Sequence, residues 1–265
     1  MITNKVIERR NYIKQTVVKY YLENKNVTLR ELEIMFNCNR RVITNILKGE
    51  NIKIRNRYHD IKLKYTFKEV ISEESAYWLG FIYADGSISY SPDSENKRYC
   101  LELGLKESDK NHIEKFKNFM GSKAKINFRE KTKSYRIMIF SKEMVINIYN
   151  LGIIKNKTYN NNFEVLWNNV PIKYRRHFIR GFFDGDGSIA NNFTISFTSN
   201  YPAGVLKMLN DIGYNKTYKI YDKQKTTAKS IKILKEESIK ILHFMYDNST
   251  IYLDRKYKKF KELPS

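Results

Sequence analysis

The sequence predicts an α+β protein made of two pseudo-symmetric αββαββα repeats behind a small all-α, helix-turn-helix-like module. Three observations carry that prediction. A helix-like stretch closing on Ala-Asp-Gly-Ser-Ile (84–88) returns 101 positions later, closing on Gly-Asp-Gly-Ser-Ile (185–189). After each copy the apolar residues pass from helical spacing to strict alternation and back, in the same order. Ahead of both copies, residues 1 to about 50 show only the 3.6-residue period of helices.

The leading module reads as three helices. Ile13, Val17, Tyr20 and Tyr21 form an apolar stripe on the first. Thr28 and Glu31 have the spacing of a capping box, in which each side chain accepts from the other residue's backbone N–H. Leu29, Leu32, Met35 and Phe36 should then face inward, and Asn37-Cys38-Asn39 supplies a turn. A third helix over 40–48 buries Val42, Ile43, Ile46 and Leu47 and turns Arg40, Arg41, Thr44, Asn45 and Lys48 outward, with Gly49 placed to end it. Two helices across a short turn, the second basic and amide-rich outward, have the pattern of a DNA reader rather than of a plain bundle. Residues 51–70, with Lys53, Arg55, Arg57, Lys62 and Lys64, read as a basic linker able to lie along phosphates as an extended strap.

The first repeat is expected over 71–168 and the second over 169–265. Tyr99, Leu101, Leu103 and Leu105 alternate with polar or small residues up to Lys106, a half-buried strand, and Phe193–Thr198 answers it. Helices follow, 109–120 before Gly121 and 201–212 before Gly213. In the next hairpin Lys123, Lys125, Asn127, Arg129 and Lys131 occupy one face and residues 124, 126 and 128 the other. Its return strand holds Tyr135, Arg136, Ile137 and Ile139. In the second repeat Lys219, Tyr221 and Lys223 alternate with Tyr218 and Ile220, while Lys229 and Lys232 flank Ile231 and Ile233. Helices over 142–151 and from Glu236 to about Tyr246 close the two halves.

Charge points to the partner. Lys and Arg total 49 against 28 Asp and Glu, a formal charge of +21. Such an excess suits a polyanion, and double-stranded DNA is favoured over an anionic membrane because no basic amphipathic helix or lipidation motif accompanies it. No run approaches the ~20 apolar residues of a membrane span. The N-terminus lacks the apolar core of a secretory signal. Cys38 and Cys100 give neither a disulfide framework nor a zinc site, and His59, His112, His177 and His243 show no metal-ligand spacing. An intracellular, reducing setting is expected: the cytoplasm of a bacterium, with a phage gene or an organelle matrix also compatible. No glycine loop for a nucleotide cofactor occurs.

Two Asp residues carry the expected chemistry. Gly80 and Ala84 lie four apart on one helical face, as do Gly181 and Gly185. Glycine inside a helix costs about 1 kcal/mol relative to Ala, so close packing of the two helices is the expected return. That packing brings Asp85 and Asp186 together at two helix C-termini, where the helix dipoles and the second carboxylate both disfavour negative charge. A hard cation such as Mg²⁺ or Mn²⁺ reverses both penalties, binding through one or two carboxylates with water and substrate phosphate. Gly86 and Gly187 let the backbone leave each helix close to such an ion. A lone Asp-Gly is ordinary turn punctuation; two in matched context are not.

Residues 78–86 (Trp-Leu-Gly-Phe-Ile-Tyr-Ala-Asp-Gly) and 179–187 (Ile-Arg-Gly-Phe-Phe-Asp-Gly-Asp-Gly) resemble the two signature helices of the double-motif LAGLIDADG homing endonucleases. The resemblance spans residue 65 to the end. It implies a monomer with internal pseudo-twofold symmetry, whose two sheets saddle a DNA major groove. It implies divalent metal at Asp85 and Asp186 and hydrolysis of both strands of a long site. It further implies a basic residue after the last helix of each half to polarise water or phosphate, and Lys157 and Lys256 match best, with Lys155 the alternative to Lys157. Tyr83 departs from the motif where the second copy keeps Asp184, which is expected to pair with Arg180 or cap locally, away from the metal. An RNA maturase or a non-cleaving transcriptional regulator would share the fold; two retained acids argue against the regulator and less against the maturase.

Overall fold

The structure is a computed structural model describing residues 4–24, 27–54, 62–90, 99–155, 162–223 and 226–263. It divides into two compact units, Met1–Arg57 and Tyr58–Ser265.

The first unit holds helices α1 (Asn4–Glu23), α2 (Leu29–Phe36) and α3 (Arg40–Gly49) around Val17, Tyr21, Leu32, Ile43 and Leu47. The capping box forms: Glu31 N–H donates to the Thr28 hydroxyl at 2.8 Å, and Thr28 N–H donates to the Glu31 carboxylate at 2.7 Å. Asn37 takes a left-handed conformation (φ 45°) to end α2, and Asn39 caps α3 by accepting from Arg41 N–H at 2.8 Å. The buried stripe is narrower than expected. Met35 and Val42 are 51% and 47% exposed, because helices this short reach a small shared core with only one or two side chains each. Gly49 does not stop α3; it is the last helical residue, and Asn51 at φ 55° makes the turn instead.

The second unit states one plan twice. Its first half runs α4 (Glu73–Asp85), β1 (Gly86–Tyr90), β2 (Tyr99–Lys106), α5 (Lys110–Met120), β3 (Ile126–Arg129), β4 (Ser134–Phe140) and α6 (Lys142–Asn150). A short α7 (Phe163–Asn168) leads to the second half: α8 (Arg175–Asp186), β5 (Gly187–Ile189), β6 (Ile195–Ser199), α9 (Pro202–Asp211), β7 (Ile220–Asp222), β8 (Lys229–Ile233) and α10 (Lys235–Tyr246). A helix the alternation did not announce, α11 (Asp254–Lys261), follows. Each half has a four-stranded antiparallel sheet, ordered β1-β2-β4-β3 and β5-β6-β8-β7. Leu101, Leu103, Ile137 and Ile139 of the first and Ile195, Phe197, Ile231 and Ile233 of the second turn inward. The opposite face carries Glu102, Lys106, Arg129 and Arg136 in the first sheet, with Cys100, Met138 and Phe140 at one end, and Ser188, Ser196, Ser230 and Lys232 in the second.

Two expectations change here. The basic strap is anchored rather than extended over its described C-terminal part: Leu63, Phe67 and Val70 belong to the main core, and Lys64 N–H donates to Met120 C=O at 2.9 Å. Apolar side chains at 63, 67 and 70 outweigh the neighbouring lysines. Arg55, Arg57 and His59 lie outside the described residues. In the second sheet Ile220 does not reach the core. It pairs with Ile231 on the inward side but is 44% exposed, because the three-residue β7 is the edge strand of its sheet.

Candidate functional site

The two motif helices touch backbone to backbone. A methyl built on Gly80 would lie 2.1 Å from the carbonyl oxygen of Phe178, and one on Gly181 would lie 1.9 Å from that of Tyr77. The next contacts mirror each other too, with Phe182 N at 3.0 Å and Phe81 N at 3.0 Å. Each pair of contacts exchanges residues 101 apart. Reciprocity of this kind is the mark of a twofold axis running between α4 and α8. No side chain fits at either glycine, so the helical cost of glycine is offset by an approach only glycine allows.

The same packing sets the acids. Asp85 is the last residue of α4 and exposed; Asp186 is the last of α8 and half-buried. A methyl on Gly185 would fall 2.3 Å from Cβ of Ala84 and 3.1 Å from Oδ2 of Asp85, so the Asp85 carboxylate leans against the residue preceding Asp186. Gly86 and Gly187 then start β1 and β5 with extended backbones (φ −78° and −92°). They are glycines for want of space rather than for φ: a methyl would meet the Ile82 carbonyl oxygen at 2.7 Å and the Phe183 ring at 2.1 Å.

Lys256 occupies this centre differently from the expectation. Its side chain is buried, and Nζ donates to the carbonyls of Asp184 (2.9 Å), Gly187 (2.6 Å) and Phe183. All three protons of the ammonium are engaged, against the negative end of α8. Burial pulls its pKa down to about 8, partly countered by Asp184, Asp85 and Asp186. Lys256 therefore holds the α8 terminus and both acids' field in place rather than reaching outward. Lys157 lies outside the described residues, and Lys155 is exposed in the turn after α6.

Asp184 does not pair with Arg180. Wholly buried, it accepts from Tyr77 Oη (2.7 Å), Tyr246 Oη (2.5 Å) and Leu253 N–H (2.7 Å), while Arg180 donates to the carbonyls of Ile251 and Met245 and to Glu73. Burial raises the Asp184 pKa, countered by Lys256 and these donors. Because Tyr77 spends its proton on Asp184, the 2.9 Å contact between Tyr77 Oη and His112 Nε2 needs the proton on that nitrogen. His112 Nδ1 is then a buried lone pair with no partner among the described residues, and burial pushes the histidine down to about 3. Composition offered no sign of this hub, since its members are scattered from Glu73 to Leu253.

The predicted basic residues sort by strand register. On the first sheet Lys106, Arg129 and Arg136 share the outward face, with Lys125 in phase and exposed just before β3. Lys123 and Lys131 are exposed beside the hairpin. Arg136 is half-buried and holds Glu102 at 2.6 Å, a partner the sequence did not single out. On the second sheet Lys223 and Lys232 line an open depression of about 620 Å³ together with Asp186, Ser196, Tyr221 and Ser230. Lys219 is exposed ahead of β7. Lys229 is on the wrong side for that depression: it pairs across the ladder with Asp222, in phase with inward Ile231. In the first unit Arg40, Arg41, Asn45 and Lys48 are exposed along α3, Thr44 is half-buried, and exposed Val42 joins them.

The donors at the helix ends fit a hard divalent cation. They are carboxylate and carbonyl oxygens, and among the described residues no group of three or more His, Cys, Asp or Glu forms a complete cage. Two acids with an open side leave room for water and a phosphate, as a Mg²⁺-type ion requires. Among the described residues no helix is long and apolar enough to cross a membrane.

Residues 173–244 match the LAGLIDADG-like domain family. Among solved structures, the chain is similar to I-DmoI in complex with DNA and Mn (19% identity, 68% of this chain and 98% of that one, TM-score 0.51). It is likewise similar to I-DmoI in complex with DNA and Ca (18% identity, 75% and 100%, TM-score 0.52). I-SmaMI bound to an uncleaved DNA target with calcium ions also matches (13% identity, 72% and 90%, TM-score 0.49). No curated protein matches the sequence. The fold of the second unit is that of the double-motif LAGLIDADG homing endonucleases, as the two signature helices implied.

Proposed function

We propose that this protein is a site-specific endonuclease that binds double-stranded DNA as a monomer and hydrolyses both strands with divalent metal, Mg²⁺ or Mn²⁺, held at Asp85 and Asp186. The observation that carries the reading is the glycine-locked helix pair ending in two adjacent carboxylates, set between two sheets with basic outward faces. Packing helices this tightly only to crowd two acids at two negative helix ends has no structural return; a cation supplies one.

Asp85 and Asp186 would hold the ion at the ends of α4 and α8, with Gly86 and Gly187 bringing the backbone close to it. Lys256 fixes the α8 terminus and Gly187, so that Asp186 keeps its place when the site is charged. A divalent cation bound there supplies an activated water and stabilises the leaving oxygen of the phosphodiester. The sheet faces orient the duplex, and their lysines and arginines supply phosphate affinity that falls steeply with salt. The helix-turn-helix-like unit adds contacts through Arg40, Arg41, Asn45 and Lys48, lengthening the recognised site. The I-DmoI complexes, which hold DNA with Mn or Ca, support the choice of substrate and metal class.

The test is Asp85→Asn and Asp186→Asn, separately, assayed on duplexes cut by the wild type in Mg²⁺. Each keeps side-chain size and removes one negative ligand. Double-strand cleavage should fall by at least about a hundredfold while duplex binding holds. Cutting of both strands at the wild-type rate by either variant sinks the proposal.

A further inference from the structure

We propose that Glu102, Arg136 and the gap left by Gly104 form a preset slot that reads a guanine base in the DNA half facing the first sheet. The inference rests on the endonuclease reading and adds what the site recognises.

Arg136 is set apart from the other cations of its face. Lys106, Lys125 and Arg129 are exposed, as groups meeting phosphate need to be. The Arg136 and Glu102 side chains are only 25% and 35% exposed and lie 2.6 Å apart. A phosphate contact gains nothing from a carboxylate beside it, since the pair is neutral and releases no counterions. A base reader does gain. The carboxylate accepts from Nη1 and so orients the guanidinium, whose remaining N–H groups have the paired geometry that bidentate recognition of guanine O6 and N7 uses.

Gly104 is the second observation. It lies directly opposite Arg136 in an unbroken ladder running from Cys100↔Phe140 to Lys106↔Ser134, so no bulge calls for it. Among the described residues a methyl there would meet only the Tyr135 carbonyl oxygen, at an ordinary 3.9 Å. The matching place in the second sheet, fixed by the pairings Gly86↔Leu103 and Gly187↔Phe197, is held by Thr198. Neither the backbone nor the packing demands glycine. A glycine inside a strand with no such demand marks close approach of a ligand. The gap leaves Arg136 open on one side, with Asn127 across from it on β3. The second sheet has Ser196, Ser230 and Tyr221 where the first has Glu102, Arg136 and Asn127. The slot therefore belongs to one half, and the target it reads is asymmetric.

The test is selection of random duplexes by the full chain in Ca²⁺, with bound sequences read out, followed by titration of binding against salt. Wild type should enrich one G·C pair that Arg136→Ala flattens by about 10- to 100-fold, with the salt slope unchanged. Glu102→Gln should flatten the same position and steepen the slope. Gly104→Thr, carrying the residue its counterpart holds, should keep the melting temperature and lose that position. Lys125→Ala is the contrast: preferences intact, slope reduced by about one. An Arg136→Ala variant that loses slope like Lys125→Ala with its preferences intact overturns the slot, as does a Gly104→Thr variant selecting the wild-type sequences. The endonuclease reading is judged apart, by whether Mg²⁺ produces cuts in the selected duplex. Failure to select any duplex defeats both.

Discussion

Positions 83 and 184 are counterparts, two residues before each acid, and the two halves fill them in opposite ways. Tyr83 lies against the rings of Phe163, Phe178 and Phe182, and burial raises its pKa. Asp184 is a buried carboxylate satisfied by Tyr77, Tyr246 and Leu253 N–H, with the Lys256 ammonium close by on the neighbouring carbonyls. The flanking residues explain the divergence. Across the axis Tyr83 meets Phe178, which has no hydroxyl, whereas Asp184 meets the counterpart Tyr77, which has one. The twofold is kept where it sets the helix spacing and the two acids. It is free to break two residues back, where only local satisfaction matters.

The shared part of that comparison is the easiest to break. Gly80→Leu and Gly181→Leu should each prevent folding of the second unit, because the first side-chain atom alone would fall about 2 Å from a carbonyl oxygen of the facing helix. Circular dichroism and thermal unfolding should show the two variants equally damaged, while exposed Lys223→Leu stays close to wild type. A well-folded variant at either glycine would end the claim of a close helix pair, and strongly unequal damage would end its symmetry.

The divergent part should respond unequally. Asp184→Asn leaves one acceptor oxygen facing three donors and turns an amide toward them, which should cost about 3 kcal/mol or more. Tyr83→Asp should cost at least as much, since it places a carboxylate among three phenyl rings and near Asp186 without the hydroxyl donors of the other half. Denaturant midpoints at constant m-value decide the matter. If Tyr83→Asp were tolerated, the two slots would be equivalent and the account from Phe178 and Tyr77 wrong.

The same contrast explains what the sequence did and did not reveal. The repeat, the order of elements along the chain, the glycine ridge and the placement of Asp85 and Asp186 depend on periodicity and on a motif read twice, both local in the chain. The Asp184 hub was missed because its partners lie 107, 62 and 69 positions away, and a charge at i+4 from Arg180 looks like a surface pair until burial is known. The setting of Lys256 was hidden for a similar reason: whether an ammonium faces solvent or three carbonyls depends on how α11 docks, and no pattern around Arg255 and Tyr257 encodes that. Lys229 was within reach of parity: it shares the phase of Ile231 and Ile233, so alternation alone puts it on the inward side, and only Lys232 has the outward phase.

Acid titration offers the finest reading of the hub. His112 and His177 have pKa values lowered to about 3 and about 4, both chiefly by burial. Unfolded histidines titrate near 6.5, so between those limits the unfolded chain binds more protons than the folded one. Stability from these groups is therefore complete above about pH 6.5 and is lost as pH falls toward 4, at up to about 1.4 kcal/mol per pH unit for each histidine. His112→Phe keeps an aromatic ring against Trp78 and Phe81 and forfeits one hydrogen bond to Tyr77. It should start about 1 kcal/mol less stable at pH 7.5 and then fall more gently on acidification, His177 supplying the remaining slope. Unfolding free energies at pH 7.5, 6.0 and 5.0 measure the two lines. Parallel acid limbs in wild type and His112→Phe would mean that His112 takes up its proton while folded, which the partnerless Nδ1 and the proton fixed on Nε2 by the Asp184–Tyr77 bond do not allow.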